Sequence, residues 1–89
     1  MHGTPRKIAD SYVATEIDDE VILLRLRDGE IFSLQGTSRE IWACIDGVRT
    51  VGGIAKELSR RHTASHDTIA DDVAEFIAEL SDEGLVALA

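Results

Sequence analysis

The feature that most constrains the fold of this chain is a pair of apolar segments joined by Asp28-Gly29, within residues 20–35. Asp-Gly is among the strongest signals for a type I′ hairpin turn, because both central residues of that turn need a positive φ. A two-residue loop fixes the register, so we expect Arg27 to face Glu30 with opposite charges across the ladder. The sequence therefore predicts an antiparallel hairpin at the centre of the fold.

The predicted register also assigns the two faces of the hairpin. It pairs Leu26 with Ile31 and Arg25 with Phe32, and side chains alternate between faces along each strand. We expect one face to be buried because its members are aliphatic: Ile22, Leu24, Leu26 and Ile31. The other face carries charged side chains, and Phe32 and Leu34 are its apolar exceptions.

Charge and cysteine content exclude several functional classes. The 89 residues include 9 basic and 17 acidic side chains, for a net charge of -8, and 44% are hydrophobic. Nucleic acids and anionic membranes need a basic footprint, so we expect neither as a partner. Cys44 is the single cysteine, which excludes an internal disulfide, and residues 1–7 do not resemble a signal peptide. We therefore expect a cytoplasmic domain with one modest core.

Residues 12–17 predict a strand that precedes the hairpin, because they alternate and are rich in β-forming types. Asp18-Asp19 is expected to turn this strand back into the segment that begins at Glu20. Residues 1–9 show no periodicity and are predicted to be a flexible tail, which leaves 10–89 as a single domain. The result is a three-stranded antiparallel meander in which residues 30–34 lie at an edge.

After Gly36 the hydrophobic period becomes helical. A capping box of Thr37 and Glu40 is expected to open a first helix at about residues 38–46, which Gly47 ends. Thr50 is expected to cap a second helix with a four-residue apolar stripe: Val51, Ile54, Ala55 and Leu58.

The third predicted helix has the longest stripe: Ile69, Val73, Phe76, Ile77 and Leu80. Either Ser65 or Asp67 caps its start, and Gly84 stops it. Residues 85–88 then form a short strand or pack as a tail.

The titratable side chains do not form a recognisable catalytic or metal site. His62 and His66 have the i, i+4 spacing of a metal pair, but they span a predicted loop and lack further ligands. Cys44 lies in an apolar helical stretch, where a thiol is packed rather than reactive. Asp71 and Asp72 are adjacent, so on a helix they point about 100° apart and do not form an acid–base pair. We therefore predict a binding module with no catalytic activity, cofactor or metal.

Phe32 and Leu34, the apolar exceptions on the charged face, admit two interpretations. If the third helix lies beside the edge strand, they form an apolar groove with Val73, Phe76 and Ile77. An open strand edge beside apolar pockets suits an extended peptide, which adds a strand to the sheet. Alternatively the helix closes over the strand as ordinary core, since strand edges are usually covered. The residues alone leave both interpretations open.

Three segments carry a resemblance to a known family: VILLRLRDGEIFSLQGTSREIWACIDGVRTV, IAKEL and DDVAEFIAELSDEGLV. They read as a leucine-rich strand, a glycine turn, a strand with an aromatic residue, and a helix from Thr37 to Gly47. A second helix follows at Thr50-Val51, and the last one ends in Gly84-Leu85-Val86. In this order and spacing, over about residues 12–88, the chain resembles the PqqD superfamily of RiPP precursor recognition elements.

The resemblance implies an α+β, winged-helix-like domain of three antiparallel strands followed by three helices. Members bind the leader region of a ribosomally synthesised precursor peptide as an added strand and present it to a modifying enzyme. By position, the resemblance assigns the peptide-binding residues to the edge strand and the last helix: Glu30, Ile31, Phe32, Ser33 and Leu34, with Ile69, Asp72, Val73, Phe76, Ile77 and Leu80. It also places Asp72 and Glu79 where they can pair with basic leader residues.

The resemblance leaves two kinds of enzyme partner. A free-standing domain with a leucine-rich hairpin is similar to the leader-binding partners of lasso-peptide proteases. The alternative is a peptide chaperone for the radical SAM enzyme of PQQ biosynthesis, and Ile31 and Gln35 keep the choice open because lasso members often carry Tyr and Asn there. A DNA-binding winged helix is a third hypothesis, for which the second helix offers only Lys56, Arg60 and Arg61.

Overall fold

The apolar segment that begins at Glu20 is the middle strand of an antiparallel sheet, paired on both of its edges. The computed structural model describes residues 3–63 and 65–88. The elements in chain order are β1 (Pro5–Lys7), a 3-10 helix (Ala9–Ser11), β2 (Tyr12–Ile17), β3 (Glu20–Arg25), β4 (Ile31–Leu34), α1 (Thr37–Cys44), α2 (Val51–Arg61), α3 (His66–Asp82) and β5 (Val86–Leu88). This order confirms the predicted α+β architecture of a three-stranded antiparallel sheet followed by three helices.

The first hairpin of the sheet follows the prediction. Ile17 pairs with Glu20 across Asp18-Asp19. Asp18 adopts a positive φ of 55°, a conformation that Asp tolerates better than most residues. The strands lie in the order β2-β3-β4, which confirms the predicted meander.

The second hairpin has a longer loop than the sequence predicts. Leu24 pairs with Ile31 and Leu23 with Phe32, so the predicted register, with Leu26 opposite Ile31, is wrong by two residues. The reason lies in the loop, where the Gly29 amide donates to the Arg25 carbonyl at 2.8 Å. That bond closes a wider turn than Asp-Gly alone does.

The buried face of this hairpin is the opposite of the predicted one. Ile31 is 66% exposed and Leu24 is 37% exposed, although both were expected to be buried. The core instead receives the alternate residues of these strands: Val21, Leu23, Leu34 and, with them, Arg25. An arginine is tolerated in this position because the carboxylates of Asp28 and Glu83 pair with it.

Part of the predicted flexible tail is a strand. β1 pairs antiparallel with β5, and Arg6 lies opposite Ala87, so the expectation of an unstructured tail is wrong for these residues. The same pairing shows that residues 86–88 form a strand. The Lys7 ammonium lies 4.5 Å from the centroid of the Trp42 ring, a cation–π contact that connects this small sheet to α1.

Four residues lie outside the described structure. Met1 and His2 belong to the predicted tail, Ala64 to the loop predicted before the third helix, and Ala89 to the C-terminus. The described residues contain no helix long and apolar enough to span a membrane.

The capping box predicted at Thr37 and Glu40 is not formed. α1 starts after Gly36, which has a φ of 58°, and no side chain within residues 3–63 and 65–88 caps this end of the helix. The carboxylate of Glu40 instead lies 2.8 Å from Nε2 of His62. α1 also ends earlier than expected, at Cys44 rather than at Gly47.

The other two helices start and end as their signals predict. The Thr50 hydroxyl accepts a hydrogen bond from the Gly53 amide at 3.0 Å, and Ser65 is the cap of α3, where it accepts from the Thr68 amide at 3.2 Å. Gly84 follows α3 with a φ of 76°, and the next amide bonds back to the Leu80 carbonyl. This is the left-handed termination that glycine favours.

One core cluster joins the sheet to the helices. It contains the predicted stripes of α2 and α3, with Phe76 at its border, together with the inner face of the sheet. Tyr12 and Trp42 meet edge to face with their ring centroids 5.3 Å apart, which packs β2 against α1. The helices therefore cover one face of the sheet and leave the other uncovered.

Candidate functional site

β4 has a strand on one side only. β3 pairs with one of its edges, and within residues 3–63 and 65–88 no strand pairs with the other. The C-terminal strand β5 pairs with β1 in a separate sheet. The edge predicted for residues 30–34 therefore has no strand partner in the described structure.

The register identifies the backbone groups that point outward from β4. The Arg25 amide donates to the Glu30 carbonyl at 2.8 Å, which makes Arg25 and Glu30 a hydrogen-bonded pair. Hydrogen-bonded and non-hydrogen-bonded pairs alternate along an antiparallel ladder. Phe32 therefore bonds to β3, whereas the N–H and C=O groups of Ile31 and Ser33 face the unpaired edge. These two residues offer two donors and two acceptors to another strand.

The side chains of β4 divide between the two faces of the sheet. Leu34 is buried in the core and Phe32 is half-buried against it, whereas Ile31 and Ser33 are exposed. On the exposed side, the carboxylate of Glu20 accepts hydrogen bonds from the Ser33 hydroxyl and from Nε2 of Gln35. These bonds lower the pKa of Glu20. The inner face of β4 is thus packed against the core, whereas its outer face is polar near the C-terminal end of the strand.

Arg25 connects β4 to the C-terminal end of α3. Its guanidinium carbon lies 5.2 Å from the centroid of the Phe32 ring, and Nη1 donates to the Glu83 carboxylate at 2.6 Å. Nε and Nη2 donate to Asp28 at 3.0 and 2.8 Å, and these bonds lower the pKa of Asp28 to about 2. One buried cation therefore joins the hairpin loop, the edge strand and the last helix.

The exposed side of α3 carries a shallow depression of about 200 Å³. The residues that line it share the i, i+3, i+4, i+7 spacing of one helix face: Asp72, Glu75, Phe76 and Glu79. Asp72 and Phe76 are predicted site residues and Glu79 a predicted partner of basic leader residues, whereas Glu75 was not among the predicted residues. The helical spacing around Phe76 was the signal that identifies all four. The depression combines a half-buried aromatic ring with three carboxylates.

The remaining predicted site residues of α3 lie in the core rather than on a surface: Ile69, Val73, Ile77 and Leu80. They belong to the same cluster as Leu34 of β4, so the strand and the helix share one core. The sequence could not separate these residues from exposed ones, because a groove and a core share the same helical period.

A larger cavity, of about 440 Å³, lies at the opposite edge of the sheet, between β2 and α1. Its lining combines two cations with apolar side chains and one carboxylate: Lys7, Ala14, Glu16, Val21, Arg39, Trp42 and Ala43. Arg39 pairs with Glu16 at 3.2 Å, and burial lowers the pKa of Lys7. This cavity is separate from the β4 edge.

Side chains with catalytic potential are dispersed. Cys44 is buried, and Nδ1 of His66 lies 3.0 Å from the Ser59 hydroxyl. In the part of the chain that the structure describes, no three His, Cys, Asp or Glu side chains group together as metal ligands. The β4 edge offers backbone donors and acceptors, with exposed or half-buried apolar side chains beside them.

Two of the three basic residues that α2 offers to DNA are engaged with an acidic neighbour. Arg60 and Arg61 both pair with Glu57, at 2.6 and 3.1 Å. This reduces the positive potential that α2 presents, and phosphate binding depends on that potential.

Comparisons with known proteins agree with this geometry. The family model described as Coenzyme PQQ synthesis protein D (PqqD) matches residues 20–86. Among solved structures, TbiB1 in complex with the TbiA(beta) leader peptide is similar, with a TM-score of 0.80 and 29% sequence identity over 90% of this chain and 93% of that chain. No curated protein sequence matches the chain significantly.

Proposed function

The chain belongs to the PqqD family, and from that premise we propose that it binds the leader region of a ribosomally synthesised precursor peptide without catalysing a reaction. The observation that carries the proposal is the unpaired edge of β4. The similar protein TbiB1 is in complex with a leader peptide, which supports a peptide as the guest.

In this proposal the leader enters as a fourth strand beside β4. The outward groups of Ile31 and Ser33 form up to four hydrogen bonds with it, each worth about 0.5–1.5 kcal/mol net. Backbone pairing of this kind is independent of the leader sequence, so side-chain contacts must supply the specificity.

Those contacts come from both the strand and α3. Phe32 and Phe76 are half-buried against the same core cluster, which leaves part of each ring for apolar side chains of the leader. Both rings pack against the core cluster that contains Leu34 and the buried stripe of α3, and Glu30 borders the edge at its start. We therefore assign direct contact to the exposed and half-buried residues and a supporting role to the buried ones.

The carboxylates of α3 favour a leader with basic residues. Asp72, Glu75 and Glu79 line one exposed depression, and an exposed ion pair contributes only about 0–1 kcal/mol. Charge therefore affects partner choice and association rate more than affinity.

The bound leader is delivered to an enzyme that acts on the rest of the precursor. We propose a leader protease of lasso-peptide biosynthesis as that enzyme, because of the leucine-rich hairpin. A radical SAM enzyme is the alternative, and the description of the matched family as a PQQ synthesis protein favours it. Binding assays with the enzyme encoded beside this chain's gene distinguish the two.

The test removes one outward N–H from β4. Ser33→Pro deletes a donor that faces the guest, while the ladder to β3 stays intact because proline is accepted at an outward position of an edge strand. We expect the cognate leader, measured by fluorescence anisotropy, to bind about tenfold more weakly or worse.

Ala14→Pro is the matched control at the other edge of the sheet. The Ser11 carbonyl accepts from the Leu26 amide, so alternation along the ladder points the Ala14 N–H away from β3. This variant should bind the leader as the wild type does. A wild-type protein that does not bind its cognate leader, or an equal loss of affinity in both folded variants, overturns the proposal.

A further inference from the structure

The outer edge of β2 is a second strand edge without a partner. Within the described part of the chain, β2 pairs with β3 and no strand lies on its other side. The Ser11 carbonyl accepts from the Leu26 amide, so alternation along the ladder turns the N–H and C=O groups of Ala14 and Glu16 away from β3. The sheet therefore offers backbone donors and acceptors at both of its edges.

A cavity opens beside this edge because the helices stop short of β2. Ala14 lies opposite Leu23 and Glu16 opposite Val21, and paired residues share a face of the sheet. Leu23 and Val21 are buried, whereas Ala14 and Glu16 are exposed on the same face. The cavity of about 440 Å³ lies in this space, between β2 and α1, and we call it the β2 groove.

The β2 groove is lined by two cations, Lys7 and Arg39. No carboxylate of the described residues forms an ion pair with the Lys7 ammonium, and burial lowers the pKa of Lys7 more than the charge of Asp46 raises it. Nη2 of Arg39 pairs with Glu16 at 3.2 Å, but Nε is buried and has no hydrogen-bond partner among those residues. Both cations therefore have donors that a carboxylate can satisfy.

The two open edges of the sheet differ in the sign of the charge beside them. The depression on α3 carries three carboxylates, whereas the β2 groove has two cations and one carboxylate. An acidic guest is therefore repelled at α3 and attracted at the β2 groove. The net charge of -8 opposes its approach from a distance, but charges more than about 8 Å apart are largely screened at physiological ionic strength.

We propose that the β2 groove binds an extended segment of a partner protein as an added strand, with one glutamate side chain directed at Lys7 and Arg39. The guest residue opposite Ala14 shares its face of the sheet, so its side chain enters the groove. The guest residues before and after it point to the other face. The segment that fits is therefore a glutamate between two β-forming residues.

Charge favours a foreign segment over the β2 strand of a second copy. Two copies carry equal net charges of -8, which repel. The acidic side chain of β2 on this face, Glu16, is also already paired with Arg39. The site is independent of the proposed function, because the leader is assigned to the opposite edge of the sheet.

The test uses a capped pentapeptide, Ser-Val-Glu-Val-Ser, and the same peptide with Gln or Lys at its centre. Each is titrated into the isotope-labelled full chain, and binding is followed by amide NMR. We expect the Glu peptide to shift the amides of Lys7, Arg39 and residues 14–16, and to bind about fivefold more tightly than the Gln peptide. The Lys peptide should bind more weakly than either.

Two variants locate the site. Lys7→Gln removes one cation and should weaken binding of the Glu peptide about fivefold. Ala43→Leu fills the α1 side of the groove and keeps both cations, and an exposed helical position tolerates Leu. It should weaken binding of all three peptides by a similar factor. Lys56→Gln is the matched control, because Lys56 is exposed on α2, and it should leave peptide binding unchanged.

Four results overturn the proposal. They are a wild-type protein that does not bind the Glu peptide at millimolar concentration, equal binding of the Glu and Gln peptides, shifts at residues 31–33 in place of 14–16, and a wild-type dimer in sedimentation that Ala43→Leu loses. Cognate leader binding is measured separately and should be unchanged in all three variants. Failure of the proposed function is seen as wild-type protein that does not bind leader, and it leaves the pentapeptide result intact.

Discussion

Arg25 and Glu83, which lie far apart in the sequence, form a double contact in the folded chain. Nη1 of Arg25 donates to the Glu83 carboxylate at 2.6 Å and to its backbone carbonyl at 2.9 Å. Arg25 is 5% exposed, and the rest of its guanidinium is bound to Asp28. Because a buried cation is stable only when its donors are satisfied, this contact fixes the position of α3 relative to the hairpin.

Replacement of Arg25 by methionine should destabilise the protein. Met fills a similar volume, but the loop and the end of α3 lose their common partner, and we expect the melting temperature to fall by roughly 5–15 °C. Thermal denaturation followed by circular dichroism measures the change. Arg25→Lys should be intermediate, since it keeps the charge and loses the planar fork.

Arg27→Met is the matched control for this experiment. Arg27 is exposed in the same loop, and surface substitutions of this kind have little effect on stability. An equal fall in melting temperature for Arg25→Met and Arg27→Met contradicts the role assigned to the buried contact.

Asp28 should contribute to the acid sensitivity of the fold. Its pKa is lowered from 3.8 to about 2, chiefly by the hydrogen bonds from Arg25. A carboxyl with a lowered pKa in the folded state stabilises that state above its ordinary pKa, and the stabilisation is lost as the pH falls towards the folded-state value. The stability advantage of the wild type over Asp28→Asn should therefore be full at neutral pH and shrink between pH 3.8 and about 2.

Denaturant unfolding at several pH values measures this advantage, and carboxyl-carbon NMR reports the pKa of Asp28 directly. In Arg25→Met the pKa of Asp28 should return towards 3.8. A pKa of Asp28 that is unaffected by the loss of Arg25 shows that the stated cause is wrong.

The two threonines that precede helices should differ in their contribution to stability. Thr50 accepts a hydrogen bond from the Gly53 amide at 3.0 Å, so Thr50→Ala should reduce the free energy of unfolding by about 1 kcal/mol. In the described part of the chain Thr37 makes no capping bond at the start of α1, so Thr37→Ala should be close to neutral. Urea denaturation of both variants is the measurement, and a larger loss for Thr37→Ala argues against the observed start of α1.

Amide exchange should alternate along β4 in the free protein. Among the residues that the structure describes, no strand pairs with the outward amides of Ile31 and Ser33, whereas those of Phe32 and Leu34 bond to β3. Hydrogen exchange followed by NMR should show Ile31 and Ser33 exchanging at least about tenfold faster. Uniform protection of all four amides in the absence of peptide shows that something already occupies the edge.

Local signals were sufficient for most of the architecture. The turn at Asp18-Asp19, the cap at Thr50 and the helix end at Gly84 depend on the conformational preferences of a few adjacent residues. They can therefore be predicted from the local sequence. The long stripe of α3 was equally readable, because its period is set by the helix itself. The edge position of β4 followed from the meander.

The failed predictions concern choices between local alternatives of similar energy. Both faces of the second hairpin are apolar enough to be buried, and Asp28-Gly29 fits more than one loop. Arg25 appeared to mark a solvated face, yet its burial depends on Glu83, which no local pattern connects to it. The residues for a capping box are present at Thr37 and Glu40, but the box does not form. The helix starts after Gly36 with its positive φ, and the Glu40 carboxylate contacts His62.

The sequence by itself determined the three strands and three helices between residues 12 and 82 and their order, because those outcomes depend on turns, caps and hydrophobic period within a few residues. Only the tertiary structure decided which face of the hairpin is buried, how the loop after β3 closes, and that residues 5–7 pair with β5. Each of these depends on partners that are distant in the chain. Ion pairs to a buried charge and hydrogen bonds to an added strand stabilise the fold only when those partners are in contact.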